Sequence, residues 1–167
     1  MLTHRSAGDR IEDNVIEDIG ARDGDTIPWS NEPEIMLTEA YHLTYEGAVS
    51  ALSTDGRLIR IFTPQGQPAV TGDVMSLLSG PAAGQFRRIA QVIDPVTYLL
   101  DEPIPKGTEA VSIARGFVGE SFERNRIDIR GGKLSAGMVF VGNHFGTRVV
   151  KNHLLGGVAS FKFTGCQ

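Results

Sequence analysis

The chain has 167 residues, of which 41% are hydrophobic and 22% are charged, and this length suits one domain or one domain with a sizeable insertion. Sixteen basic and twenty acidic side chains give a net charge of −4 without a block of Lys or Arg, so nucleic acid is not an expected partner. The apolar runs are too short for a membrane-spanning helix of about 20 residues, the start of the chain lacks a signal peptide, and Cys166 is the only cysteine, which excludes an internal disulfide.

The first predicted element is a short frame, apolar-x-x-Asn-x-apolar, which surrounds Asn14 and recurs around Asn125, Asn143 and Asn152. The asparagine and the apolar residue after it have the same parity along a strand, whereas the apolar residue before it has the opposite parity. A corner must therefore lie between them. Asparagine tolerates the left-handed backbone of a corner, and its side chain can bond the asparagine of the next turn of the chain. The frame predicts stacked parallel strands.

A stretch of different texture, residues 33–116, separates the first frame from the others. Residues 57–62 alternate after an Asp55–Gly56 turn, and further strand-like segments flank Asp94–Pro95. Such patterns are typical of antiparallel hairpins. With frequent glycine and no sustained helical periodicity elsewhere, they predict an all-β protein with an inserted antiparallel β-barrel or sandwich.

Three segments resemble coils of right-handed parallel β-helix proteins of the pectate-lyase-like superfamily: residues 10–16, 121–129 and 149–154. The resemblance implies a few coils of right-handed parallel β-helix at residues 1–32 and 117–167, interrupted by the inserted domain at 33–116. It also implies a polysaccharide partner and an extracellular or cell-surface location. Because no capping helix is visible, we expect a fragment that continues into adjoining coils of a longer chain, or a homo-oligomer.

One strand of the repeat is expected to carry a charged outward face. Alternation places Arg126, Asp128 and Arg130 on the same outer side. One coil away, His153 should occupy the place of Arg126, and Glu17 that of Asp128. A guanidinium can form paired hydrogen bonds with the carboxylate of an acidic sugar. We therefore predict a ligand-binding face, with an ordinary solvated surface as the other interpretation.

Two histidines, His144 and His153, follow asparagines in matching positions, and imidazole can transfer protons near neutral pH. The spacing of His and Cys matches no transition-metal site, and we expect neither a metal nor a cofactor. The Arg-x-Lys spacing of the pectin-hydrolysing members of the resembling family is absent. No catalytic residue can be assigned, and the expectation leans towards a non-enzyme, with a polysaccharide lyase or glycoside hydrolase as the active alternative.

Three aromatic residues near the start of the insertion, Trp29, Tyr41 and Tyr45, are further candidates for ligand binding because sugar faces stack on such rings. A packed junction between insertion and repeat is the other interpretation. Two functions remain open. The first is a carbohydrate-directed module that binds, or helps to process, a polysaccharide; the second is a non-catalytic structural or assembly module of a larger surface or fibre-like solenoid protein.

Overall fold

The computed structural model describes residues 7–17, 34–40, 42–128, 130, 136–156 and 159–164. Within these residues the protein is all-β and contains no helix, which confirms the predicted class. The chain divides into two compact units, residues 1–40 with 117–167 and residues 41–116. The described strands are β1 (Arg10–Glu12), β2 (Val15–Glu17), β3 (Glu34–Ala40), β4 (His42–Leu52), β5 (Leu58–Ile61), β6 (Val74–Leu77), β7 (Phe86–Asp94), β8 (Thr97–Leu100), β9 (Ala110–Arg115), β10 (Phe117–Val118), β11 (Ser121–Glu123), β12 (Arg126–Asp128), β13 (Ala136–Gly142), β14 (His144–Phe145), β15 (Arg148–Val150), β16 (His153–Leu155) and β17 (Ala159–Thr164).

The unit at residues 41–116 is a closed β-barrel in the strand order β4-β5-β8-β7-β6-β9. Its strands pair antiparallel, and of the two predicted forms, barrel or sandwich, it is the barrel. The long strand β4 pairs with β5 and with β9, and this closes the barrel. Alternation along β5 explains its burial, because Ile59 and Ile61 point into the core while Leu58 and Arg60 face solvent. The barrel therefore has one apolar interior and an exterior on which every second side chain of β5 is displayed.

The other unit is built from short parallel strands. Its described sheets are β1-β11-β15, β10-β14, β16-β12-β2 and β17-β13-β3. Because β3 pairs with β13, residues 34–40 lie with these sheets rather than with the barrel. Phe122, Ile127, Met138 and Phe140 form a small buried core for the unit.

Asparagine side chains link the corners between these strands. Asn14 Nδ2 donates to Asn125 Oδ1 at 2.8 Å, and Asn125 Nδ2 donates to Asn152 Oδ1 at 2.8 Å. Asn125, which is only 1% exposed, also donates to the carbonyl of Ile11 at 2.9 Å. The bond predicted between asparagines of successive turns of the chain is confirmed, and we call Asn14, Asn125 and Asn152 the asparagine ladder.

The left-handed corner residue is not the asparagine, as the sequence pattern suggested, but the residue before it. Asp13, Arg124 and Lys151 have φ angles of 55°, 54° and 54°, and Gly142, which precedes the fourth asparagine, has a φ of 83°. The side chains of Asp13, Arg124 and Lys151 are exposed, and the asparagine that follows each of them bonds a neighbouring asparagine. The local pattern predicts a corner, but it does not show which of two adjacent residues turns.

The expected right-handed parallel β-helix is wrong. In the described residues the parallel strands belong to separate sheets of two or three strands, and the closed element is an antiparallel barrel, so no solenoid is formed. A solenoid requires many uninterrupted repeats, each packed on the next. The asparagine frames specify only a local corner and the pairing of neighbouring segments, and the barrel interrupts them after the first frame.

Candidate functional site

The predicted outer charged face has the expected register. In the parallel pairs, Arg126 lies opposite His153, and Asp128 lies opposite Glu17. Alternation therefore correctly aligned these residues across three strands. Their chemistry, however, depends on how the charges are paired.

The charges of this face are satisfied by one another. Arg126 Nε lies 3.1 Å from Glu17 Oε1, and Arg130 Nη2 lies 2.6 Å from Asp128 Oδ2. The hydrogen bonds from the Arg130 side chain and backbone hold the pKa of Asp128 at about 2, below its ordinary value of 3.8. Two guanidinium groups and two carboxylates sum to no net charge, so an acidic sugar would have to compete with carboxylates already in place.

The neighbouring sheet repeats this arrangement. Arg124 makes a bidentate pair with Asp13, with 2.7 Å from Nε to Oδ1 and 2.7 Å from Nη2 to Oδ2. Arg148 Nη2 lies 3.6 Å from Glu123 Oε1 on the adjacent strand. Each pair joins segments that are distant in sequence. The surface charges thus connect neighbouring parallel strands, which is a structural role.

The two candidate histidines occupy different environments. His144 is half-buried, with its ring stacked on Phe117 at a centroid distance of 5.0 Å and edge-on to Phe140 at 5.5 Å. His153 is exposed on β16, which belongs to another sheet. Matching positions in the sequence frame therefore do not bring the two imidazoles into one site.

Of the three aromatic candidates, the structure describes only Tyr45. Trp29 and Tyr41 lie outside the described residues. Tyr45 is 2% exposed in the barrel core, and its hydroxyl donates to the carbonyl of Ala48 at 2.6 Å. A ring enclosed in this way offers no free face to a sugar.

A groove that the sequence patterns did not single out lies on the barrel, where β4, the end of β5 and the β7–β8 turn meet. Its volume is about 380 Å³, and we call it the barrel groove; its lining residues are Ser50, Ala51, Arg60, Ile61, Phe62, Thr63 and Val96. Phe62 is 57% exposed. The groove thus combines an uncovered aromatic ring, a guanidinium and two hydroxyl groups.

A smaller hollow is lined by the chain neighbours of two groove residues, since Pro64 follows Thr63 and Pro95 precedes Val96. Its volume is about 250 Å³, and we call it the apolar hollow; its lining residues are Pro64, Gly66, Pro68, Ala69, Val92, Asp94, Pro95 and Tyr98. The backbone N–H of Ile61 donates to the carbonyl of Val96 at 2.9 Å, which holds the end of β5 against the β7–β8 turn.

Asp94 supplies the charge of the hollow. Its Oδ1 accepts a hydrogen bond from the backbone N–H of Val96 at 2.8 Å. That bond is the main cause of a lowered pKa, and hydrogen bonds from the side chain and backbone of Thr97 lower it further, with a smaller effect from the positive charge of Arg60. The carboxylate is therefore ionised near neutral pH.

Both depressions lie beside irregular strand pairing. Between β4 and β5 the register shifts between Val49 and Ala51, and between β7 and β8 it shifts between Val92 and Asp94. Such bulges redirect side chains and are common beside binding sites. The one signal in the sequence was the alternation of residues 57–62, which gives Arg60 and Phe62 the same parity.

Within the described residues, no group of three or more His, Cys, Asp or Glu side chains is arranged to hold a metal ion. The same part of the chain contains no helix of the length and hydropathy needed to cross a bilayer. Neither finding bears on the groove, whose polar groups are a guanidinium and hydroxyls.

Comparison with protein-family models, with curated proteins and with solved structures finds no match to this chain. The resemblance to the pectate-lyase-like superfamily is therefore corrected: no relative supports it, and the structure shows a closed barrel with several small sheets in place of a solenoid. Any function must be argued from the surface of the molecule itself.

Proposed function

We propose that the chain is a non-catalytic carbohydrate-binding module whose barrel groove holds a segment of polysaccharide. The observation that carries this proposal is the exposed ring of Phe62 in the same groove as Arg60 and the hydroxyls of Ser50 and Thr63. An exposed aromatic ring offers an apolar face against which the C–H face of a sugar can pack. The guanidinium and hydroxyls offer hydrogen bonds to the sugar's rim.

The dimensions of the groove agree with this ligand class. A volume of about 380 Å³ falls within the roughly 300–1,000 Å³ of small-molecule sites. A pocket with an apolar platform and few polar groups positions a ligand without a chemical step. Sugar binding here requires no metal, no cofactor and no catalytic pair of carboxylates.

The outer charged face supports this function less well. Arg126 and Arg130 are already paired with Glu17 and Asp128. A ligand carboxylate could bind these guanidinium groups only by replacing the carboxylates of the protein. Exposed ion pairs contribute little energy, typically about 0–1 kcal/mol. The face is better explained by a link between parallel strands, Arg126 with Glu17, and a local pair within one segment, Arg130 with Asp128.

The second candidate function, a structural or assembly module, is favoured by a different observation. Strand β17 lies at the edge of its sheet, and it exposes Phe161 and Phe163 by 37% and 63%. An edge strand with apolar side chains can pair with a strand of another chain. This function predicts self-association that depends on protein concentration.

The test is gel retardation and calorimetry of the chain with a panel of neutral and acidic polysaccharides, using Phe62→Ala and the control Leu58→Ala. Leu58 lies on β5, four residues before Phe62, faces solvent and is outside the groove. Wild type should be retarded by at least one polysaccharide, Phe62→Ala should bind it about tenfold more weakly, and Leu58→Ala should bind unchanged.

No new reducing or unsaturated ends should appear during these incubations. Unchanged binding by Phe62→Ala would contradict the proposal, and so would the absence of binding to every polysaccharide. Sedimentation that shows concentration-dependent oligomers, together with silence in the binding assays, would favour the assembly module.

A further inference from the structure

The apolar hollow is too small for a whole ligand but suits a part of one. Its volume of about 250 Å³ lies below the roughly 300 Å³ at which small-molecule pockets begin. Its lining continues that of the barrel groove along the chain at two places, the consecutive pairs Thr63–Pro64 and Pro95–Val96. A substituent on a sugar bound in the groove can therefore reach it.

The wall of the hollow is held in place before any ligand arrives. Gly66 N–H donates to the carbonyl of Thr44 at 3.0 Å, and a Cβ at Gly66 would clash with the carbonyl oxygen of Leu43. The hydroxyl of Tyr98 donates to the carbonyl of Pro95 at 2.6 Å. A site that is already rigid loses little entropy when it binds.

The chemistry of the lining selects the substituent. Prolines, Val92 and the side of Tyr98 are apolar and suit a methyl group. Asp94 adds an ionised carboxylate, which can only accept hydrogen bonds and, with about four acceptor sites, keeps capacity beyond the bonds from Val96 N–H and from the side chain and backbone of Thr97. An apolar group joined to an N–H donor satisfies both parts of the wall.

We propose that the hollow receives the acetamido group of an N-acetylated amino sugar. The methyl of that group lies among Pro64, Pro68 and Val92, and its N–H donates a hydrogen bond to the carboxylate of Asp94. This inference rests on the proposed binding of saccharides in the barrel groove. It names the class of sugar that the groove prefers. An unsubstituted hexose leaves the hollow to water, and a free amino sugar brings a charge without a methyl.

The test uses three β-1,4-linked tetrasaccharides, built from N-acetylglucosamine, glucosamine or glucose. They differ only in the substituent at C2 of each sugar ring. Wild type should bind the N-acetylglucosamine tetramer about tenfold more tightly than the glucose tetramer, since the acetamido group adds one buried methyl and one hydrogen bond to a charged acceptor. Calorimetry measures each affinity directly.

Two variants test whether the apolar hollow causes the preference for the acetylated tetramer. Val92→Phe adds bulk at the hollow and should remove the preference for the acetylated tetramer, whereas Ile93→Phe, on the exposed neighbour, should retain it. Because the comparison of ligands is made on the wild type, it does not depend on the folding of either variant.

Three results would overturn the inference. Equal affinity for the acetylated and glucose tetramers, with both weakened by Phe62→Ala, would leave the groove function standing and remove the role of the hollow. Tightest binding of the glucosamine tetramer would show that Asp94 attracts charge rather than the acetamido group. Failure of all three tetramers and of every polysaccharide would remove the groove function as well.

Discussion

At the scale of single residues, each corner of the parallel strands uses one residue for the left-handed turn and the next for the side-chain hydrogen bonds. Arg124 and Lys151 adopt left-handed backbone, with φ angles of 54° each, and the asparagine that follows each of them bonds inward. For a residue with a Cβ, this conformation costs roughly 1–2 kcal/mol. Replacement of an exposed corner residue by glycine should relieve that cost.

Lys151 offers the clearest test of the corner. We expect Lys151→Gly to be more stable than Lys151→Ala by about 1 kcal/mol, because both variants remove the side chain but only glycine adopts positive φ without strain. Urea denaturation of the two variants measures the difference. Equal midpoints would show that the corner is not strained.

Asn125 tests the asparagine ladder. Its amide donates to Asn152 and Ile11 and accepts from Asn14, all at a buried position. Asn125→Ala should destabilise the protein by about 3 kcal/mol, since three bonds of a buried amide are lost and its partners are left without them. Asn14→Ala, at the exposed end of the ladder, serves as the matched control and should cost clearly less. An equal cost for the two variants would contradict the ladder.

Asp128 makes a prediction about pH. Its pKa in the folded protein is about 2, lowered from 3.8 by the hydrogen bonds of Arg130. A carboxyl group whose pKa is lowered by folding stabilises the fold above its unfolded pKa and loses that effect as pH falls through the folded pKa. The stability difference between wild type and Asp128→Asn should therefore shrink as pH falls from about 4 towards 2.

Carboxyl NMR measures this titration directly, and Asp55, whose pKa is also lowered but by Ser53 and backbone, is an internal reference. In Arg130→Gln the pKa of Asp128 should return towards its ordinary value, while that of Asp55 stays unchanged. A titration of Asp128 near 4 in the wild type would show that the ion pair does not persist in solution.

At the scale of elements, substitutions in β5 and just beyond its end should affect stability and sugar binding separately. Ile59 is fully buried in the core, and Phe62, just beyond the end of β5, is mostly exposed. Ile59→Ala should cost about 2–5 kcal/mol of stability and leave sugar binding intact in the folded fraction. Phe62→Ala should change stability by no more than about 0.5 kcal/mol and weaken binding. Thermal unfolding and calorimetry of the two variants make the comparison, which fails if both properties change together.

The elements also show what the sequence could predict. Alternation around Asp55–Gly56 predicted the hairpins of the barrel, and the asparagine frames predicted the alignment of Arg126 with His153, because both depend on residues close in sequence or on strict parity. The barrel groove was missed because it is formed by β4, the end of β5 and the β7–β8 turn, which the long-range pairing of β5 with β8 brings together. The alternation of residues 57–62 gives the parity of Arg60 and Phe62 but does not show which strand lies beside them.

At the scale of the whole molecule, the incorrect β-helix prediction and the open choice between barrel and sandwich have a common physical explanation. Local patterns specify corners, strands and pairs, whereas the number of repeats and the way sheets close depend on contacts across the chain. Charges behave similarly. Sequence alone shows an arginine-rich surface, but the pairing of Arg126 and Arg130 with carboxylates, which makes that surface a poor anion site, becomes visible only in three dimensions.

The most direct test of the central claim, that the barrel groove rather than the outer charged face binds saccharide, is amide NMR of the labelled chain titrated with the N-acetylglucosamine tetrasaccharide. We predict that the shift changes concentrate at residues 50–51, 60–63 and 92–98, with little change at 126–130 and 153. Changes concentrated at Arg126, Arg130 and His153, or no change at saturating sugar, would contradict the account.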